Sequence, residues 1–156
     1  MPPVLTPAER AFLADARTAT LATVDPHGRP RLVPICFVLA PLEPGGRPVL
    51  HTPIDEKPKS TTDPYALARV RDIRERPAVS LLVQRWSEDW SELAWLRMTG
   101  RAEVVKPDPR DVGARAVAQA LRLKYSQYSE QDLESRPVIL IAIERATSWG
   151  AVSPSP

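Results

Sequence analysis

The side chains best suited to holding a ligand are concentrated in one stretch, His51-Thr-Pro-Ile-Asp-Glu-Lys57-Pro-Lys59-Ser60-Thr61-Thr62-Asp63. It leaves an apolar strand, carries two lysines and three consecutive hydroxyls, and enters a basic helix. Ammonium groups, hydroxyls and the free N–H groups of a helix start are together what an anionic phosphate needs. Pro58 stiffens the turn between the two lysines and presets their separation. This turn is therefore a candidate phosphate grip for a bound cofactor. The plainer alternative is a polar strand-to-helix loop with solvated lysines.

Other chemistry is sparse. The two histidines, His27 in a turn and His51 on a strand, are not spaced as metal ligands, and no cysteine pair accompanies them. The sequence has no Gly-x-Ser-x-Gly elbow, no Gly-x-x-x-x-Gly-Lys loop and no Gly-x-Gly-x-x-Gly turn. Cys36 lies in apolar company and reads as a packed thiol. Asp55 and Glu56 are adjacent, so on a regular element they point apart and do not make a paired-carboxylate site. An enzyme with this inventory takes its chemistry from a cofactor. Val33-Pro34-Ile35-Cys36 and Thr52-Pro53-Ile54 offer apolar backbone with unpaired polar groups where prolines break the ladder. Four tryptophans, Trp86, Trp90, Trp95 and Trp149, could cover a flat ring. For Trp95 and Trp149, core or subunit-interface packing serves equally well.

The elements that must position these residues follow from periodicity and punctuation. Thr6-Pro-Ala-Glu9 has the form of a capping box and starts a short helix with Phe12, Leu13 and Ala16 on one stripe. Thr18 to Val24 favours a strand, Asp25-Pro-His-Gly-Arg a turn, and Arg31 to Leu39 a second strand, making a hairpin. Val49 to Thr52 is a short third strand. Asp63-Pro64 caps a helix through Tyr65, Leu67, Val70 and Ile73, with Arg69, Arg71, Arg74 and Arg76 as a solvated face, ended by Pro77. Val79 to Val83 is a buried fourth strand. Leu93 to Val105 alternates as a long fifth strand, with Gly100 marking a bend or bulge. Asp108-Pro-Arg-Asp111 caps a helix carrying Val112, Ala116, Val117, Ala120 and Leu121. Val138 to Ile143 is the last of six strands, followed by Thr147-Ser-Trp-Gly150.

Directly joined antiparallel strands with an internal glycine suit a small closed barrel, so the expected class is α+β, mainly β: a six-stranded antiparallel split β-barrel with flanking helices. A chain of 156 residues holds one well-formed core rather than two, here residues 1–150, with 151–156 as a mobile tail. The net charge, 21 minus 19 or +2, is too near neutral to favour nucleic acid as the main partner. A single cysteine, no basic-then-apolar N-terminus and no long apolar run point to a reducing, cytoplasmic setting without a membrane span.

Several segments in this order resemble the pyridoxamine 5′-phosphate oxidase-like family, most closely its branch of probable coenzyme F420-dependent oxidoreductases. They are Leu21-Ala-Thr-Val-Asp-Pro-His-Gly-Arg-Pro-Arg-Leu-Val-Pro-Ile-Cys, Thr52-Pro-Ile-Asp-Glu-Lys-Pro-Lys, Arg71-Asp-Ile-Arg-Glu-Arg-Pro-Ala-Val-Ser-Leu-Leu-Val, Glu88-Asp-Trp and Arg97-Met-Thr-Gly-Arg-Ala. The resemblance covers roughly residues 8–150. It implies a split barrel that is usually a homodimer with two cofactor sites at the subunit interface. It implies a flavin or deazaflavin held by its phosphate at Lys57, Lys59 and Ser60, with Val33 to Cys36 and Thr52 to Ile54 lining the ring. In the deazaflavin branch an acidic polyglutamate tail calls for a basic groove, for which Arg74, Arg76 and Arg97 are candidates. The chain lacks the C-terminal Arg-Leu-x-Pro segment of the true oxidase, which speaks against vitamin B6 oxidation. The expected function is hydride transfer between coenzyme F420 and an unsaturated small molecule. The alternatives are an FMN-dependent oxidoreductase and a non-catalytic carrier or sensor.

Overall fold

The computed structural model describes residues 2–40, 46–55 and 61–153. Helix α1 (Pro7–Asp15) opens with the expected capping box. Glu9 N–H donates to Thr6 Oγ1 at 3.2 Å, and Thr6 N–H donates to Glu9 Oε2 at 2.9 Å. Strands β1 (Ala19–Val24) and β2 (Pro30–Ile35) form the first hairpin. Its turn is organised by Asp25 Oδ1, which accepts the N–H groups of His27 and Arg29 at 2.9 Å each, and by Gly28 at φ +79°. Next come β3 (Val38–Leu39), β4 (Val49–Pro53), a 3-10 turn at Pro64–Ala66 and α2 (Ala68–Glu75). The chain continues with β5 (Ala78–Arg85), β6 (Ala94–Val105), α3 (Val112–Lys124) and β7 (Val138–Gly150).

All sheet neighbours are antiparallel, in the order β2-β1-β5-β6-β7-β4-β3. The two strands at opposite ends of that order, β2 and β3, are joined in the chain only by Cys36 and Phe37. Three peptide steps span at most about 11 Å, so the sheet must curl until its two edges meet. This is the expected split-barrel architecture, built from seven strands rather than six. The stretch read as one strand, Arg31 to Leu39, changes partner from β1 to β4 and has to break where it crosses the seam. Phe37 N–H has no strand partner there and donates instead to the Tyr125 hydroxyl at 3.0 Å. The same hydroxyl lies 3.0 Å from the carbonyls of both Phe37 and Arg17, so α3 closes the seam. The last strand also runs on to Gly150, because Ala146, Ser148 and Gly150 keep alternating against Met98, Leu96 and Ala94.

The register shifts between Thr99 and Gly100, as the internal glycine suggested. A Cβ at Gly100 would run into the Ala142 carbonyl, so only glycine permits this approach. Inward-facing Leu21, Leu81, Leu96, Met98, Ile139, Ile141 and Ile143 pack with Phe12 and Leu13 of α1 and with Val70 and Ile73 of α2. Fully burying each such side chain stabilises the fold by about 1.5–3 kcal/mol. A smaller cluster joins Ala118 and Leu121 of α3 to Val38, Tyr125, Tyr128 and Leu133. Ala151 and Val152 are fixed rather than loose: Ala151 N–H donates to Leu93 O at 2.9 Å, and Val152 packs into the main core. Among the described residues no helix is long and apolar enough to cross a membrane.

Candidate cofactor site

Residues that could meet a ligand fall in two places, the outer face of the sheet and the end of β4. The first is the outer face of the sheet. Cross-strand pairing puts Pro34, Thr20, Leu82, Arg97 and Thr147 in a single row across β2, β1, β5, β6 and β7. The adjacent row is Leu32, Ala22, Ser80, Thr99 and Arg145, and on the other side Gln84, Trp95 and Trp149 are paired. Residues in one row share a face, so Pro34, Arg97 and Trp149 lie on the same surface. Leu32 is 68% exposed and Trp149 is 53% exposed, which makes this an uncovered face that is partly apolar. Arg97 lies over the Trp95 ring at 5.4 Å, and Arg101 and Arg145 add further exposed cations. Trp86 and Trp90 stand clear of the sheet and are 71% and 77% exposed.

Val33 and Ile35 point the other way. Ile35 is in the main core, and Val33 is packed against it. Cys36 is half-buried at the seam and leans on the α3 cluster. Thr52 and Ile54 are also buried, the latter completely. The backbone of Ile54, read from sequence as unpaired, is fully used. Its N–H donates to Pro137 O at 3.3 Å, and its carbonyl accepts Arg136 Nε at 2.5 Å. Of the residues expected to line the ring, Pro34 is exposed, whereas Pro53 is buried with Thr52 and Ile54.

The second surface lies where β4 ends. Asp55, a buried carboxylate, has the Tyr128 hydroxyl as one partner at 2.5 Å, and Arg136 Nη2 donates to its carbonyl at 3.2 Å. Burial and that carboxylate together raise the Tyr128 phenol far above the ordinary range. Arg69, in the first turn of α2, is half-buried close enough to feel the Asp55 charge. Burial lowers its pKa and Asp55 opposes that shift. Its Nε is sealed from water and has no hydrogen-bond partner. A buried guanidinium edge left unmatched is costly, and it suits an incoming anion. Lys57, Lys59 and Ser60, the phosphate grip expected from sequence, lie outside the described residues.

Arg69 is the residue sequence reading missed, having been grouped with the solvated arginines of its helix. The signal was present in the spacing. Arg69 precedes the buried Asp72 and Ile73 by three and four positions, so it borders the inward stripe, whereas Arg71 and Arg74 face away and are exposed. His51 is half-buried, and burial alone lowers its pKa. Among the described residues no cluster of three or more potential ligands could hold a metal.

Residues 5–150 match the family described as pyridoxamine 5′-phosphate oxidase. The chain belongs to this family. No curated protein matches it. Among solved structures, a conserved hypothetical protein from Mycobacterium tuberculosis superposes with a TM-score of 0.66 at 22% identity, covering 94% of this chain and 86% of that one. A protein named F420 reductase gives 0.63 at 20% identity, covering 92% and 98% of the two chains. The heme storage protein HutZ from Vibrio cholerae gives 0.63 at 18% identity, covering 94% of each. At these identities the likeness is one of fold. The Nε edge of Arg69, a buried donor without a partner, is chemically suited to a phosphate.

Proposed function

We propose that this family member is an oxidoreductase that binds coenzyme F420 through its phosphate and passes a hydride to or from an unsaturated small molecule. The observation that carries the reading is the unpartnered, buried Nε of Arg69 beside the end of β4. Arg69 would supply a directed guanidinium for the phosphate, with Lys57, Lys59 and Ser60 following Asp55 closely in sequence. A structural relative named F420 reductase supports the same choice of cofactor.

The reduced deazaflavin supplies the hydride, so the protein's tasks are to bind, orient and exclude water. Pro34, Thr20 and Leu82 offer a flat, mostly apolar strip for a planar ring. Arg97, Arg101 and Arg145 on the same face supply cations for an acidic polyglutamate tail. Water exclusion needs a cover for this face, and a second copy of the chain is the proposed one, giving a homodimer. The scarcity of acid–base groups is consistent with hydride chemistry, which needs charge placement more than proton transfer.

The test is titration with coenzyme F420 and with FMN, followed by turnover on a panel of enones and quinones. Retention of the deazaflavin with turnover supports the reading. Retention of FMN alone moves the chain to the flavin branch, and binding without turnover makes it a carrier. Arg69→Gln should weaken binding of the retained cofactor by about tenfold or more, the scale of a lost charged hydrogen bond. Unchanged affinity removes Arg69 from the site.

A further inference from the structure

The end of α3 holds two cations against one ring. Lys124 places its ammonium 3.9 Å from the Phe37 ring centroid and 5.4 Å from that of Tyr125. The Arg17 guanidinium lies over the same Tyr125 ring at 4.7 Å, and its Nη2 donates to the Lys124 carbonyl at 2.6 Å. Among the described residues neither side chain forms an ion pair, and Lys124 Nζ has no hydrogen-bond acceptor. Aromatic faces return only part of what an ammonium loses on leaving water, and a second positive charge at the same ring adds to the cost. Cys36 and Asp15 favour the charged form, yet burial and then Arg17 outweigh them and bring the Lys124 pKa down to about 8. Lys106, exposed just past β6, has no such surroundings.

We propose that Lys124 is a carbamate site, at which Nζ takes up carbon dioxide and the resulting anion pairs with Arg17. The lone pair of the neutral amine forms a bond to the carbon of carbon dioxide. One carbon–oxygen π bond opens onto oxygen, and the nitrogen releases one proton to solvent. No oxidant or further reactant is needed. The choice of electrophile follows from charge. An acyl group would remove one cation and leave Arg17 without an acid partner. A carbamate puts an anion in place of that cation and supplies the partner. The pair would tie the end of α3 to the segment between α1 and β1, beside the seam that Tyr125 closes. The inference goes beyond the cofactor reading and involves neither Arg69 nor the lysine turn.

The experiment incubates the protein with isotopically labelled bicarbonate at a pH of about 8, traps carbamates by alkylation with triethyloxonium ion, and reads each lysine by peptide mass. In the folded protein Lys124 should carry about tenfold more trapped carboxyl than Lys106, and in urea the two should label alike. Arg17→Gln should cut the Lys124 yield severalfold, and Arg17→Lys should restore most of it. Bicarbonate should also raise the melting temperature relative to chloride at equal ionic strength, and Lys124→Met should abolish that rise. Equal trapping at Lys124 and Lys106 in the folded protein overturns the inference, as does a yield indifferent to Arg17→Gln. A melting temperature that bicarbonate leaves in place, or moves equally in Lys124→Met, overturns it as well. None of these outcomes bears on the cofactor assignment, which the Arg69→Gln titration tests separately.

Discussion

Asp72 and Asp55 are both carboxylates taken out of water, and each has a hydroxyl and an arginine as neighbours. At Asp72 the arrangement is closed. Thr23 Oγ1 donates to Oδ2 at 2.7 Å and Arg31 Nε donates to the same oxygen at 2.8 Å, tying α2 to β1 and β2. At Asp55 the hydroxyl is engaged, while the Nε of the nearby arginine, the atom used at Asp72, has no partner. Withdrawing a carboxylate from water is tolerated only when hydrogen bonds replace the lost solvent. Both sites meet that demand for the acid, but only one meets it for the base. A matched pair serves the fold, whereas the unmatched Nε of Arg69 is left for the ligand proposed above.

The largest effect expected from this contrast is on stability. Asp72→Ala removes the acceptor of two hydrogen bonds, one of them charged, and should lower the free energy of unfolding by about 3 kcal/mol. Arg69→Gln removes a group that the fold does not use and should cost less than about 1 kcal/mol. Urea denaturation of the two variants measures both. Equal losses would show that Arg69 contributes to the fold as Asp72 does, and the distinction between closed and open sites would disappear. Arg31→Ala should fall between them, because its side chain is 41% exposed and water can replace it on one side only.

A third cation sharpens the comparison, since it has neither a carboxylate partner nor an open edge. Lys124, the last residue of α3, places its ammonium 3.9 Å from the Phe37 ring centroid and 5.4 Å from that of Tyr125. Burial, then the nearby Arg17 charge, lowers its pKa from 10.5 to about 8, against the opposing pull of Cys36 and Asp15. Between those two values the unfolded chain binds more protons than the folded one. Stability should therefore rise as pH increases from about 8 to 10.5. Lys124→Met should raise the melting temperature at neutral pH and flatten that rise. Melting curves across the alkaline range that superpose for the two proteins would mean the ammonium is solvated after all.

The first hairpin, the capping box and the Gly100 irregularity were legible in the sequence because each is decided within a few residues. Asp25 organises its turn through N–H groups two and four positions away, and Thr6 and Glu9 satisfy one another. What the sequence hid was decided at long range. The break at Cys36 and Phe37 depends on a hydroxyl 88 positions downstream, and no local propensity separates β2 from β3. Arg69 resembled its helix neighbours because a row of arginines shows no difference between a solvated one and a sequestered one. Only the inward stripe of Val70 and Ile73, with the buried Asp72 between them, tells which member of the row borders the core. The outer-face row of Pro34 and Arg97 was half legible. Both residues stood out from sequence, but their shared face follows from a register fixed across five strands.

The smallest effect belongs to a pair that is closed like Asp72 but lies nearer water. Arg122 grips Glu134 with two bonds, Nη1 to Oε1 at 2.5 Å and Nη2 to Oε2 at 2.7 Å, and also donates to Gln131 O at 2.8 Å. The guanidinium holds the Glu134 carboxyl at about 2, below its ordinary 4.5. A depressed acid contributes its full stabilisation above the ordinary value and loses it as pH falls toward the depressed one. The window is thus pH 4.5 down to about 2. Both side chains keep more than a fifth of their surface in water, so solvent screening should hold the contribution to about 1 kcal/mol or less. Glu134→Gln should remove this part of the acid limb and leave the neutral-pH stability only slightly lower. If acid titration of the two proteins follows one curve, the paired hydrogen bonds from Arg122 to Glu134 contribute nothing to the fold. Matched geometry alone would then not mark a structural pair, and burial to the depth of Asp72 would have to be added as a condition.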